Sequence, residues 1–227
     1  MSYNDIGLEY YDPVAHPTCH NFREAGIRLI SHFLSETPGE FGKILEIGCG
    51  MSIIEEIKPI KISKKSHVVL SDLNINMISH SMNLKSMNID IVLCDAGKLP
   101  FKNRYFDLVI SNLGDPYNGR NMWESVNSIL HHGGMFMYTT PSIEWANSFR
   151  SGRKEISDKA YFQKKDGSDL YLPSNIMTDD EIVKLAEDSG FRMLSIEKFE
   201  NIHLLKKPIS PKLSHGTPFV TLYACVK

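Results

Sequence analysis

The chain has 227 residues, of which 42% are hydrophobic and 23% are charged. These are values of a globular protein, and a chain of this length buries enough surface for a stable core without disulfides or structural metals. The formal net charge of −2 at pH 7 supplies no overall positive field, which argues against binding to nucleic acid or anionic membranes through bulk charge.

The four cysteines have no paired spacing along the chain, and they are Cys19, Cys49, Cys94 and Cys225. This pattern argues against a disulfide framework and favours a reducing compartment. The first residues lack an apolar signal core, and no apolar run approaches the roughly 18 residues of a membrane span. We therefore expect a soluble protein of the cytoplasm.

An acidic segment over residues 1–40 precedes the first strand-like stretch. Apolar residues recur in it at helical spacing from Asn21 to Ser35, and Pro38-Gly39 ends the pattern. We expect this segment to form an N-terminal helical cap.

From residue 41 onward, strand-like and helix-like stretches alternate. Buried strands are predicted over residues 43–47, 67–72, 89–94, 106–111 and 135–139. Helices are predicted over residues 53–57, 74–87 and 121–131, with His131 and His132 finishing the last helix before Gly133-Gly134 stops it. Strands rich in Val, Ile and Leu that are separated by helices indicate a parallel sheet covered on both faces.

The last third of the chain changes rhythm. A capping box at Thr178–Glu181 opens a helix, and residues 192–200 and 218–226 alternate like an antiparallel strand pair. The stretch 142–177 is too long for an ordinary connection, so we expect a lid-like insert. The predicted fold is a Rossmann-like α/β domain over 41–227, with a seven-stranded, mostly parallel sheet, an antiparallel C-terminal strand and helices on both faces.

The motif LEIGCG, residues 45–50, leaves a strand and enters a helix. Gly48 and Gly50 let the backbone turn tightly and leave room for a ligand that would collide with a Cβ atom. A dinucleotide loop would have glycine in place of Ile53, and a phosphate loop would end in Gly-Lys-Ser/Thr. Glu46 is poorly placed beside a pyrophosphate but acceptable beside a zwitterionic methionine tail. The loop therefore indicates a nucleoside without phosphates, and a glycine turn that binds nothing is the structural alternative.

Acidic residues follow the next two predicted strands. Asp72 ends the second strand, where an acid in Rossmann-like domains accepts hydrogen bonds from ribose hydroxyls. Asp95 follows the third strand, where its carboxylate can accept from an adenine amino group while the Ala96 amide meets a ring nitrogen. A helix cap at Asp72 and a turn at Asp95 are the structural alternatives.

Four motifs carry a resemblance to a known family, namely LEIGCG, the acid in VVLSDLN, CDAGKLPFKNRYFDLVISN and HHGGMFMYTTP. With them the chain resembles small, single-domain class I methyltransferases that depend on S-adenosylmethionine (SAM), over residues 42–141 and 178–227. The reversed final hairpin distinguishes this family from nicotinamide dehydrogenases, whose last strand is parallel. The family often has a third glycine two residues after the second, and this chain has Met51-Ser52 in that place.

The resemblance implies SAM as the cofactor and S-adenosylhomocysteine as its product. The cofactor site that it implies consists of Glu46, Gly48, Cys49, Gly50, Asp72, Leu73, Asp95, Ala96 and Asn112.

The methyl acceptor is expected over the carboxyl ends of the fourth and fifth strands. There, NLGDPY at 112–117 is similar to the Asn/Asp-Pro-Pro-Tyr motif of methyltransferases acting on adenine, but it has two extra residues and one proline. Asp115 and Tyr117 are therefore candidate catalytic residues, with a Gly-Asp-Pro turn as the alternative. His20 is a third candidate, because segments before the first strand often cover the cofactor in this family. The surrounding motif HPTCH lacks further ligands, so no metal site is expected.

The leading hypothesis is an enzyme that transfers the SAM methyl group to oxygen or nitrogen of a small molecule. The alternatives are a nucleic-acid methyltransferase acting on a base amino group, which the missing basic surplus disfavours, and a non-catalytic SAM-binding subunit. Bases and acids nearly cancel in the aromatic insert, which favours a substrate lid over a nucleic-acid surface. The C-terminal hairpin loop carries Lys206 and Lys207; it is a solvated loop or a contact for an anionic acceptor or protein partner, and the insert is a second surface for such a partner.

Overall fold

The structure, a computed structural model, describes residues 2–85, 88–156 and 158–227. None of the helices described there combines the length and apolar character needed to cross a bilayer. The helices are α1 (Pro17–Glu36), α2 (Ile54–Lys61), α3 (Ile75–Ile78), α4 (Arg120–Ile129), α5 (Ile143–Arg150) and α6 (Asp179–Asp188). The strands are β1 (Phe41–Ile47), β2 (Ile62–Asp72), β3 (Ile89–Leu93), β4 (Phe106–Asn112), β5 (Leu130–Pro141), β6 (Lys159–Gln163), β7 (Asp169–Pro173), β8 (Arg192–Phe199) and β9 (Val220–Val226).

Seven strands form one sheet in the order β3-β2-β1-β4-β5-β9-β8. The first five strands of that order are parallel, and β9 pairs antiparallel with both β5 and β8. The central strand β1 places Glu46 opposite Leu70 of β2 and Ile110 of β4. The predicted Rossmann-like sheet with a reversed C-terminal hairpin is therefore confirmed.

Helices cover both faces of this sheet, because successive side chains of a strand point to opposite sides. Ile44 of β1 packs in a core cluster with Leu29 of α1 and Ile54 of α2. Its neighbour Leu45 belongs to the opposite cluster, which contains Trp123 of α4 and the buried face of α6. The sheet is thus the middle layer of three.

The region predicted as a helix over residues 74–87 is different in the structure. Only α3 is α-helical; a 3-10 turn follows over Ser79–Leu84, and Met87 lies outside the described residues. The cause is local competition from hydroxyl side chains, since Ser79 Oγ donates to the Asn76 carbonyl at 2.8 Å. Ser81 Oγ donates to the Gly50 carbonyl at 2.6 Å, which ties this turn to the glycine loop.

The prediction that His131 and His132 finish a helix is wrong. Helix α4 ends at Ile129, and both histidines lie in β5. The strand begins early because Leu130 pairs with Phe106 of β4. His131 Nε2 lies 3.0 Å from a carboxylate oxygen of Asp107, which is near the start of the neighbouring strand β4.

The N-terminal segment, residues 2–16, packs against the insert. Within the insert, β6 and β7 form a separate antiparallel hairpin. Ile6 shares a small core with Phe162 and Leu172 of that hairpin, and the Tyr3 hydroxyl donates to the Pro173 carbonyl at 3.2 Å. Two segments far apart in sequence therefore pack together around one small apolar core.

Helix α1 lies unusually close to the end of β4 at Gly26. A Cβ atom added to Gly26 would overlap Asn112 Oδ1 and lie 3.2 Å from Thr139 Oγ1. The Asn112 side chain also accepts a hydrogen bond from Thr139 Oγ1 at 2.8 Å, so it cannot move away freely. Glycine is therefore required at this position by packing and not by helix preference.

We expect Gly26→Ala to lower the free energy of unfolding by about 1–3 kcal/mol, because overpacking outweighs the better helix propensity of alanine. Urea unfolding measures the change. His32→Ala, at an exposed position of the same helix, is the control and should be neutral or slightly stabilising. A Gly26→Ala variant as stable as the parent would show that α1 does not approach β4 this closely.

Candidate active site

A cavity of 540 Å³ lies at the carboxyl ends of the parallel strands. Residues that follow β1, β2, β3 and β4 form its floor. Its roof comes from the N-terminal segment, the start of α1, α5, β6 and the loop 210–212. The volume is typical of sites for cofactors and small molecules, and the position is the usual ligand crevice of an open α/β sheet.

The loop after β1 crosses the loop after β4 at two glycines. Gly48 has φ +58°, and a Cβ atom there would overlap the backbone of Gly114. A Cβ atom on Gly114 would in turn overlap the Ile47 carbonyl. Both loops reach the cavity only because neither residue has a side chain at the crossing.

Glu46 lies beneath the glycine loop and does not line the cavity. The residue is 1% exposed, and both of its carboxylate oxygens accept hydrogen bonds from the loop. Ser52 Oγ donates to Oε2 at 2.5 Å, and the Ile53 amide donates to Oε1 at 3.1 Å. Burial raises the pKa of Glu46 to about 7, against the opposing effect of these two hydrogen bonds. Glu46 therefore shapes the loop from below.

Asp72 fastens the same loop from the neighbouring strand. Its Oδ2 accepts from the Gly50 amide at 3.0 Å and its Oδ1 from the Asn74 amide at 2.8 Å. Desolvation by burial raises the pKa of Asp72, while the backbone donors lower it. The carboxylate lines the cavity with both oxygens already oriented.

The end of β3 completes this side of the cavity. Asp95 Oδ1 accepts from the Gly97 amide at 2.8 Å and so caps the 3-10 turn that contains Ala96. Leu73 lies on the rim with 57% of its surface exposed, an apolar surface that a planar ring can cover. Acidic oxygens beside an apolar rim fit the hydroxyls and the ring of a nucleoside.

A family model described as a methyltransferase domain matches residues 44–134. An uncharacterized protein from Methanocaldococcus jannaschii is 29% identical over 202 residues, which cover 82% of this chain and 76% of that relative.

Two solved structures with bound partners share the fold. A complex between the Haloferax volcanii Trm112 methyltransferase activator and a methyltransferase matches with a TM-score of 0.67 and 15% identity, over 96% of this chain and 97% of that one. A Burkholderia thailandensis 1,6-didemethyltoxoflavin-N1-methyltransferase, with 1,6-didemethyltoxoflavin and S-adenosylhomocysteine bound, matches with a TM-score of 0.59 and 13% identity, over 98% of this chain and 85% of that one.

The strand order, the glycine loop and the family model agree. Residues 44–134 match a methyltransferase domain, and the chain has the fold of class I SAM-dependent methyltransferases. The cofactor that this match supports is SAM, and the product formed from it is S-adenosylhomocysteine.

Most of the site residues predicted for this methyltransferase do line the cavity. Nine of the twelve do so, namely Gly48, Cys49, Asp72, Leu73, Asp95, Ala96, Asn112, Asp115 and Tyr117. Gly50 is separated from it by Tyr11, whose hydroxyl lies where a Cβ atom of Gly50 would be. Glu46 lies under the loop, and His20 also lies outside the cavity lining.

Asp115 makes the contacts of a turn-forming aspartate. Its Oδ1 accepts from the Tyr117 amide at 3.0 Å and its Oδ2 from the Gly119 amide at 3.3 Å. Burial raises the pKa of Asp115, and these donors lower it. Tyr117 lies at the rim with 53% of its surface exposed. The turn alternative thus accounts for the contacts of Asp115, although its carboxylate still lines the cavity.

Sequence reasoning missed several residues at the end of the cavity that the N-terminal segment, α5, β6 and residues 210–212 enclose. We call this end the chamber end. His16 is the imidazole that reaches it, in place of His20, and Arg150 and Lys212 supply positive charge. The position of His16 at the start of α1 could have been recognised from the sequence. Proline is common at the first position of a helix, so Pro17 indicates that His16 is the N-cap residue. Nothing in the local pattern around Lys212 indicates that its loop returns to the cavity.

No group of three His, Cys, Asp or Glu residues in the described part of the chain is arranged to hold a metal ion. The four cysteines are free thiols. Burial raises the pKa of the Cys19 thiol to about 11, which leaves it protonated at neutral pH.

The free energy of unfolding should fall between pH 5 and pH 8 because of Glu46. A folded-state pKa of about 7, against an ordinary value of 4.5, means that the native state holds this proton more tightly than the unfolded chain. The contribution of Glu46 is therefore fully present below pH 4.5 and is lost as the pH rises through 7; its full size is about 3 kcal/mol.

Urea unfolding at pH 5 and pH 8 tests this for the parent, for Glu46→Gln and for Glu40→Gln, an exposed control. Glu46→Gln should lose less stability between the two pH values than the parent, and Glu40→Gln should behave like the parent. An equal loss in all three proteins would contradict a raised pKa at Glu46.

Proposed function

We propose that the chain transfers the SAM methyl group to oxygen or nitrogen of a small molecule held beneath the N-terminal segment and the insert. The observation that carries this proposal is the continuity of the cavity. One end contains Asp72 and Asp95 at the strand ends, and the other is enclosed by segments 2–16 and 142–177. In these terms residues 1–40 are a cap, and 41–227 are the methyltransferase domain with its lid-like insert.

In this proposal the strand ends bind the cofactor. Asp72 accepts hydrogen bonds from the ribose hydroxyls, and Asp95 with the Ala96 amide binds the adenine edge above Leu73. Gly48, Cys49 and the side of the loop that faces the cavity hold the methionine end. Asn112 is available from the end of β4, where its side chain is fixed by Thr139 and the Arg23 carbonyl. Glu46 and Gly50 act through the shape of the loop.

SAM supplies a methyl group bound to a sulfonium. The neutral thioether S-adenosylhomocysteine is a good leaving group and needs little assistance. The residues of the chain then have to orient the acceptor, exclude water and receive a proton where the acceptor loses one. His16 is the best-placed base, because its Nε2 is buried without a hydrogen-bond partner among the described residues and lies 3.5 Å from Glu9 Oε1. Asp115 shapes the loop beside the methyl group, and Tyr117 contacts the acceptor at the rim.

Asp72→Asn should weaken SAM binding by about 1–3 kcal/mol, because an amide cannot accept from both ribose hydroxyls while keeping its backbone contacts. Calorimetry with SAM and with S-adenosylhomocysteine measures the loss. Asp90→Asn, an exposed acid on β3, is the control and should leave the affinity unchanged. An unchanged affinity of Asp72→Asn would refute the ribose assignment, and heat with NAD but none with SAM would overturn the cofactor.

A nucleic-acid acceptor is the main rival within catalysis, and a non-catalytic subunit is the rival outside it. The roof over the cavity and the net charge of −2 disfavour a polymer. The likeness to a methyltransferase solved together with an activator protein supports dependence on a protein partner, but for a catalytic chain, since the similar chain is itself the methyltransferase.

We expect weak, salt-sensitive retention of tRNA and DNA in filter binding, and formation of S-adenosylhomocysteine by this chain alone over a metabolite library. Tight tRNA or DNA binding that survives physiological salt would favour the nucleic-acid reading. Cofactor binding without turnover of any acceptor would favour the partner-dependent one.

A further inference from the structure

The two ends of the cavity carry opposite charge. The acids that line it are Asp72, Asp95 and Asp115, and all three follow strands of the sheet. The chamber end, formed by the N-terminal segment, α5, β6 and residues 210–212, has no Asp or Glu among its described lining residues. It does contain Arg150, Lys159 and Lys212.

Lys212 is the cation that the chamber leaves least satisfied. Its Nζ lies 4.9 Å from the ring centroid of Phe149 and 5.7 Å from that of Tyr161. Among the described residues no carboxylate lies within the 4.0 Å of an ion pair. Burial lowers the pKa of Lys212, as expected for an ammonium group that has lost water without gaining an acid. An anion in the chamber would reverse that loss.

Arg150 adds a second, fixed charge. Its guanidinium donates to the Ser174 carbonyl at 3.0 Å and to Ser174 Oγ at 2.8 Å, which holds it against the base of the hairpin. The carboxylate of Asp158, which does not line the cavity, offsets part of the positive charge of Arg150. The field in the chamber is still positive, because Arg150 and Lys212 act in a partly dehydrated space.

Aromatic side chains form a large part of the chamber wall. Tyr3, Tyr10 and Phe162 pack edge-on or tilted with ring centroids 5.9–6.2 Å apart. Trp145 and Phe149 stack at 5.2 Å with an interplanar angle of 10°. Such rings provide a surface on which a flat, apolar body can be buried.

We propose that the methyl acceptor is a small anion with a flat, apolar body, whose carboxylate or phosphate group pairs with Lys212. This rests on the function proposed above, and it adds the chemical class of the acceptor. The body lies between the aromatic walls, and the nucleophilic oxygen or nitrogen points away from Lys212 toward the strand ends.

The test uses three probes of similar shape with the protein saturated by S-adenosylhomocysteine, namely benzoate, phenyl phosphate and benzamide. Calorimetry should show at least one anion binding about tenfold more tightly than neutral benzamide, and the better anion identifies a carboxylate or a phosphate site. Lys212→Met keeps the packing on Phe149 but removes the charge, so it should abolish this preference. Lys184→Met, at an exposed lysine of α6 outside the cavity lining, is the control and should keep it.

Equal binding of the three probes, no anion binding up to about 10 mM, or an anion preference that survives Lys212→Met would overturn the proposal. The affinity for S-adenosylhomocysteine is measured first on each variant and should not change. If the protein bound no S-adenosylhomocysteine but still preferred anions through Lys212, the proposed methyl transfer would fail while the anion site would stand.

Discussion

The cofactor crevice depends on a buried carboxylate that no ligand needs to touch. Glu46 stands at the end of the central strand, and its two oxygens hold the backbone and hydroxyl of the residues that enter α2. Asp72 holds the Gly50 amide from the next strand. Because backbone donors in a buried turn must be satisfied, these two acids fix the loop in the shape that binding requires. A ligand that enters the cavity then meets a preformed surface, which lowers the entropy lost on binding.

A second constraint comes from the crossing of the loops after β1 and β4. Gly48 and Gly114 are in backbone contact, and Leu113 beside them has φ +58°, a conformation that costs a side chain roughly 1 kcal/mol. A hydrogen bond from the Leu113 amide to Thr139 Oγ1 stabilises this strained conformation. This arrangement explains why the stretch after β4 resembles an adenine-methyltransferase motif only in part. Its extra residues make the crossing and the turn at Asp115.

The layered fold could be predicted because its signals are local and repeated. Runs of Val, Ile and Leu marked the parallel strands, and the missing helix between the last two strands indicated the reversed hairpin. Predictions failed where side chains compete with the backbone, as Ser79 and Ser81 do, and where pairing starts a strand early, as at Leu130.

At the site, the predicted residues next to strand ends line the cavity, because strand ends define the crevice. Glu46 lies under the loop and outside the cavity lining, and alternation along β1 indicates this position, since it places Glu46 on the same face as Ile44 and away from Leu45. The chamber residues could not be predicted, because contacts between the N-terminal segment, the insert and residues 210–212 are long-range and carry no sequence period.

The roof of the chamber consists of two halves that are joined only in space. The Lys165 amide donates to Glu9 Oε1 at 3.2 Å across 156 residues of sequence, and Lys165 Nζ pairs with Asp12 at 2.6 Å. Ile6 and Phe162 bury each other's apolar surface at the same junction. Replacing the β6–β7 hairpin alone would remove the apolar contact between Ile6 and Phe162. Glu9 and Asp12 would then also lose their contacts with Lys165. Under the proposed function, a redesign for another acceptor therefore means exchanging both halves together, while the sheet and its glycine loop stay as they are.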